Sequence, residues 1–220
     1  MHILLLDQRV AETPCCERAP LIDLLRRDGE VRVSLCSPVL RTAPGEAVFP
    51  EGCWPIRLDQ LPTVSEAMSW QPLRSQLAGD RGSLSAAAAT LSDVQLGLLR
   101  EAIRRAVTTA VDESDVDVIF VCQAGMLVEF AIETGPPVAA HANGHDLALL
   151  EAPGRLREIL AASLSSCEVL AADSEDSAAL LREAWVDPDP ERPIEIWPLT
   201  DAAESILAAC RTALSRRFTV

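Results

Sequence analysis

Apolar and polar positions along the chain fall into short blocks that switch between two periods. Ile3–Asp7 opens as a short apolar run, the pattern of a strand covered on both faces. From Pro14 to Asp28, residues Ala19, Leu21, Ile22, Leu24 and Leu25 recur at helical spacing, and Gly29 stands where a helix C-cap belongs. Glu30–Leu35 then alternates, with Val31, Val33 and Leu35 on one face of a second strand. A strand, a helix and a strand in so short a stretch form a βαβ unit, which needs parallel pairing. Between residues 37 and 90 the pattern is interrupted by Pro38, Pro44, Pro50, Pro55, Pro62 and Pro72. A strand at Trp54–Leu58, a helix at Val64–Leu77 and a mobile loop at Ala78–Ala89 are predicted there. Ser92 caps a helix reaching about Val111, with Leu96, Leu99, Ile103, Ala106 and Val107 on one face.

Beyond that helix the alternation is regular. Strands are predicted at Val116–Cys122, Pro137–His141, Glu168–Ala172 and Ile194–Trp197. Helices are predicted at Met126–Glu133, Arg155–Leu164, Ser174–Trp185 and Thr200–Arg217. The fold class that follows is α/β: a doubly wound, mostly parallel, Rossmann-like sheet of about seven strands. Ile3–Asp7 is expected at its centre, between Val31–Leu35 and Val116–Cys122.

Composition narrows the function. The 220 residues weigh 23.7 kDa, the size of one domain. No apolar run approaches the roughly 18–20 residues that cross a bilayer, and the start lacks the pattern of a signal peptide, so a cytoplasmic location is expected. The net charge is -14, and all 19 basic residues are Arg. So acidic a surface repels phosphate backbones, so nucleic acid is not an expected partner. With no Lys, Schiff-base and Walker-type lysine chemistry are excluded. Seven Cys without a C-x-x-C pair give neither a zinc ribbon nor a thioredoxin motif, and reduced thiols are expected.

Ligands of open parallel sheets bind beyond the carboxyl ends of the strands. That rule selects Gln8–Cys16, Gln123–Gly125, His141–Asp146 and Asp173–Glu175. The first of these has no Gly, so the phosphate cradle of a dinucleotide-binding enzyme is missing. His141, His145 and Asp146 do not complete a metal shell, because Asn143 and Gly144 make a turn there and no further His is available. No G-x-S-x-G elbow is present. Neither a metal nor a cofactor is expected.

Five segments carry a resemblance. Cys15-Cys16-Glu17-Arg18 leads through Leu21–Gly29 to Glu30-Val31-Arg32-Val33. Val116–Cys122 reads VDVIFVC, and Gly135-Pro136-Pro137-Val138 follows one helix later. His141-Ala142-Asn143-Gly144-His145-Asp146 is the next turn, and Cys167–Glu175 reads CEVLAADSE. In order and spacing these segments resemble the N-terminal, acceptor-side half of GT-B glycosyltransferases of family 4. Two positions depart from that family: its Gly-Gly pair is Cys15-Cys16 here, and its turn histidine falls at Asn143. A Cβ at each cysteine stands where a donor diphosphate would pass. The family's C-terminal, nucleotide-sugar domain has no counterpart in the sequence. Glu175 and Glu183 have the Glu-x7-Glu spacing of that domain but fall on a different helix.

The resemblance implies an acceptor-binding domain over residues 1–198, with a C-terminal helix in 199–220 packing back on it. It implies transfer of a sugar from a nucleotide-sugar donor, with retention, once a donor-binding domain joins; the chain alone is expected to be inactive. It assigns catalytic roles to Asn143, His145 and Asp146, and substrate contacts to Cys15, Cys16, Glu17, Gln123, His141 and Glu175. The implied partners are a small-molecule or glycan acceptor, a nucleotide-sugar only with the second domain, and a donor-binding subunit or a symmetric second copy. A helix directly after the last strand implies a chain complete in itself. Two alternatives stand beside this reading: a degenerate relative kept as a binding or scaffold domain, and an unrelated Rossmann-like enzyme.

Overall fold

The computed structural model describes residues 1–7, 19–27, 29–39, 51–65, 68–77, 84–142, 147, 150, 155–184, 194–197 and 202–217. Seven parallel strands form one sheet: β1 (His2–Leu6), β2 (Arg32–Val39), β3 (Cys53–Arg57), β4 (Val118–Val121), β5 (Val138–Ala142), β6 (Val169–Ala172) and β7 (Glu195–Ile196). Their order is β3-β2-β1-β4-β5-β6-β7. The first strand is central, as its pattern predicts: Ile3 pairs with Val33 on one side and Val118 on the other. Ile3, Leu4, Leu5 and Leu6 are all fully buried, because helices cover both faces of the sheet.

Eight α-helices are described: α1 (Ala19–Arg26), α2 (Gln71–Leu77), α3 (Leu84–Ala88), α4 (Asp93–Ser114), α5 (Leu127–Glu133), α6 (Arg155–Ser165), α7 (Glu175–Ala184) and α8 (Ala202–Arg217). The two faces follow from the right-handed crossover rule. The chain steps one way from β1 to β3 and the other way from β1 to β7, so the helices divide between the faces. Ile3, Leu5, Val33 and Phe120 pack with Leu25 of α1 and with Ile206, Ala209, Cys210 and Ala213 of α8. Leu4, Leu6, Ile119 and Val121 pack beneath Leu99, Ile103 and Val107 of α4, Phe130 of α5, Leu160 of α6 and Leu181 of α7. Arg216 and Arg217 of α8 donate to the carbonyls of Glu168 and Gly135, fastening that helix across the sheet.

Three expectations about the elements need correction. The second strand does not stop at Leu35 but runs through Pro38 to Val39. Pairing with β1 ends at Leu6–Cys36, and Pro38 alternates toward that side, so its missing N–H removes no strand bond. Among the described residues of the predicted helix Val64–Leu77, the helix begins at Gln71; before it, Trp70 donates from Nε1 to the Pro62 carbonyl at 3.1 Å. The predicted loop at Ala78–Ala89 contains α3, whose Leu84, Ala87 and Ala88 are buried in the core. Residues 78–83 of that loop lie outside the described residues.

No helix among the described residues is long and apolar enough to cross a membrane. The expectation of reduced thiols throughout fails at Cys53, which is disulfide-bonded, while Cys36, Cys122, Cys167 and Cys210 keep their thiols. Burial pushes the Cys36 thiol up to about 12, so it is an inert core group.

Candidate functional site

The strands all point one way, so their carboxyl ends share one edge of the sheet. Five of the strands, β1, β4, β5, β6 and β7, deliver a polar or aromatic residue there at or just after the strand end. Asp7 follows β1 and is 3% exposed, with its N–H donating to the Cys36 carbonyl at 3.0 Å. Cys122 and Gln123 follow β4, with the Cys122 N–H bonded to the Leu6 carbonyl at 2.8 Å. Asp173 follows β6 and bonds from its N–H to Ala142 at 3.0 Å; Trp197 follows β7 and bonds to Ala172 at 2.9 Å. These bonds extend the sheet's order one residue past the strands, so the side chains there stand on a rigid base rather than on free loops.

His141 is the centre of this edge on the β5 side. It is 5% exposed. Its ring lies nearly parallel to the indole of Trp197, 13° between planes and 6.2 Å between centroids. Its Nε2 is 3.4 Å from the Trp197 carbonyl oxygen. Burial lowers its pKa below the ordinary imidazole value; the Trp197 carbonyl, the Asp173 charge and the Cys122 carbonyl oppose that shift. The ring thus joins the ends of β4, β5 and β7 and is neutral near pH 7.

Beside it, Asp173 is held by two hydroxyls: Ser177 Oγ donates at 2.6 Å and Ser174 Oγ at 3.1 Å. Ser174 also accepts from the Ser177 N–H at 3.2 Å, capping α7 as its position in the sequence predicts. Trp197 is oriented from its other end, its Nε1 donating to Glu195 at 3.0 Å.

Of the residues the sequence selects, the structure places His141 and Gln123 on this edge; both are buried, and the Ala124 N–H bonds to the His141 carbonyl at 2.8 Å. Glu175 is the first residue of α7, its side chain 79% exposed and 4.0 Å from Arg182. Cys15, Cys16, Glu17, Asn143, His145 and Asp146 lie outside the described residues. Asp173 opens a loop that the strand-end rule already selects; Ser177 and Trp197 are additions from the structure. Trp197 ends a predicted strand, which was the available signal; its stacking on His141 joins positions far apart in the chain and leaves no local pattern. Among the described residues no group of three or more His, Cys, Asp or Glu is placed to hold a metal ion.

No protein-family model matches the chain, and no curated protein does. Solved structures do. UDP-GlcNAc 2-epimerase from Neisseria meningitidis, bound to UDP-GlcNAc, superposes over 99% of this chain and 52% of its own, with a TM-score of 0.50 at 14% identity. UDP-GlcNAc 2-epimerase from Methanocaldococcus jannaschii matches over 89% of this chain and 45% of its own, with a TM-score of 0.47 at 11% identity. TcCGT1 in complex with UDP matches over 91% of this chain and 50% of its own, with a TM-score of 0.43 at 11% identity. The chain spans about half the length of the structures it matches. The shared feature is the fold: a GT-B-like, Rossmann-like domain with a seven-stranded parallel sheet.

Proposed function

We propose that this chain is the acceptor-side half of a GT-B-type glycosyltransferase of the family 4 kind. The observation that carries the reading is the superposition of almost the whole chain on about half of an enzyme bound to UDP-GlcNAc. Position in the fold supports it: Asp7, Gln123, His141, Asp173 and Trp197 share the strand-end edge, where open parallel sheets take their ligands. In this reading the edge is one wall of a cleft, residues 1–198 form the domain, and the helix in 199–220 packs back on it. A second, donor-binding half supplies the other wall, because transfer needs donor and acceptor held together from both sides.

On sequence grounds Asn143 hydrogen-bonds an acceptor hydroxyl, and His145 beside Asp146 supplies the titrating group. Cys15, Cys16, Glu17 and Glu175 belong to the same wall by their place in the family pattern. His141 and Gln123 serve it by fixing the base of the turn. The partner half is a separate subunit, a further domain or a symmetric second copy. The alternative reading, a catalytically degenerate binding or scaffold domain, is favoured by Cys15-Cys16 standing where the family has its glycine pair.

Amide chemical-shift mapping with several millimolar UDP-GlcNAc tests the location. The reading expects weak, concentration-dependent shifts gathered at Cys122–Gly125, His141 and Asp173–Ser177. Shifts confined to the opposite, amino-terminal edge of the sheet count against it.

A further inference from the structure

At the other side of the sheet from His141, edge strand β3 and helix α4 enclose a groove of about 360 Å³. Trp54, Arg57 and Leu61 form one wall; Ala102, Arg105 and Ala106 form the other. Its cause is local. Toward the sheet α4 presents Leu99, Ile103 and Val107, which fill the core, but toward β3 it presents two alanines one turn apart. The volume sits at the low end of small-ligand pockets, about 300–1,000 Å³.

An added peptide strand is a poor occupant. The Leu35 N–H bonds to the Gly52 carbonyl, so by the alternation of a parallel ladder residues 53, 55 and 57 turn their backbone groups outward. The outward position in the middle is Pro55, which has no N–H, and the edge is thereby blunted. A compact ligand fits better.

The lining decides its charge. In a chain of net charge -14, this groove carries two guanidinium groups, one from each wall, against the single carboxylate of Glu101. Arg57 is held in place by Asp59, with Nε 3.1 Å from Oδ1 and Nη2 3.2 Å from Oδ2. Arg105 bonds to Glu101 at 2.8 Å, but its side chain is 76% exposed, so that pair exchanges readily for another anion. Trp54, Leu61 and the two alanines supply flat apolar walls.

We propose that this groove binds a small aromatic carboxylate, its ring between Trp54 and the alanines of α4 and its carboxylate on Arg105. Calorimetric titration of the whole chain with phenylacetate, and with the neutral phenylacetamide, tests this. Saturable binding of the acid near about 1 mM, and of the amide at least about tenfold weaker, is expected. Ala106→Leu fills the groove and Arg105→Gln removes its mobile cation; each should weaken the acid by about tenfold or more. Urea midpoints of both variants establish that they fold, and Ala102→Leu is the second filling variant should Ala106→Leu not fold. No saturable heat up to about 20 mM, equal binding of acid and amide, or full affinity in a folded filling variant overturns the proposal.

Discussion

Two buried imidazoles make the chain's stability depend on pH. His2 bonds through Nε2 to Ser34 Oγ at 2.9 Å, and His141 lies against Trp197. Both have pKa values lowered from 6.5 by burial; at His2 the Arg32 charge adds to the shift, while the Ser114 carbonyl, Asp117 and Asp115 oppose it. Above 6.5 both are neutral in the folded and unfolded chain, and their full contribution is present. As pH falls below 6.5 the unfolded chain takes up protons that the folded chain resists, so stability is lost toward the lower, folded pKa values. Urea midpoints measured from about pH 7.5 to 5.5, a range chosen to stay above most carboxylate titrations, should fall with pH. In His141→Phe, which keeps an aromatic ring against Trp197, that slope should shrink to the share of the remaining histidines. An unchanged slope in the variant would show that His141 does not titrate differently on folding.

At the scale of elements, α4 is the best-defined helix, and its beginning is explicit. Ser92 Oγ accepts from the Gln95 N–H at 3.4 Å, while Gln95 Oε1 accepts from the Ser92 N–H at 3.2 Å, a reciprocal capping box. Gln95 Nε2 also donates to the Ser69 carbonyl at 2.9 Å, tying the cap to the segment before α2. Along its length Arg104 reaches Glu133 of α5 at 2.9 Å and lies over Phe130 at 5.4 Å, and Arg100 pairs with Glu129. Ser92→Ala should cost about 1 kcal/mol in urea unfolding; a change within about 0.2 kcal/mol would show that the cap is replaced by water. This helix was legible in the sequence because its cap, its period and its length all agree. The five residues of α3 were not: LSAAA has no period to read, and its helix rests on tertiary contacts, the burial of Leu84, Ala87 and Ala88 and the hydrogen bond from the Met126 N–H to Ser85 Oγ. Likewise Pro38 reads as a breaker until the end of β1 is known. Of the candidate site, Gln123 and His141 were found by the strand-end rule. The clasp of Asp173 by Ser177 was not singled out, since a carboxylate and a hydroxyl four residues apart are common on helix surfaces.

At the scale of the whole molecule, the order β3-β2-β1-β4-β5-β6-β7 sets Asp7, Gln123, His141, Asp173 and Trp197 on one edge, which the proposed function makes one wall of a cleft. The central claim is that this wall is half of a nucleotide-sugar enzyme and holds its donor only when the other half closes on it. A site with one wall loses the contacts and water exclusion that the second provides. Calorimetric titration of the isolated chain with UDP-, GDP- and ADP-sugars tests the claim most directly. The account predicts dissociation constants of about 1 mM or weaker for all three, roughly -4 kcal/mol at best. Micromolar binding of any one of them would contradict it, because the chain would then hold a complete donor site by itself.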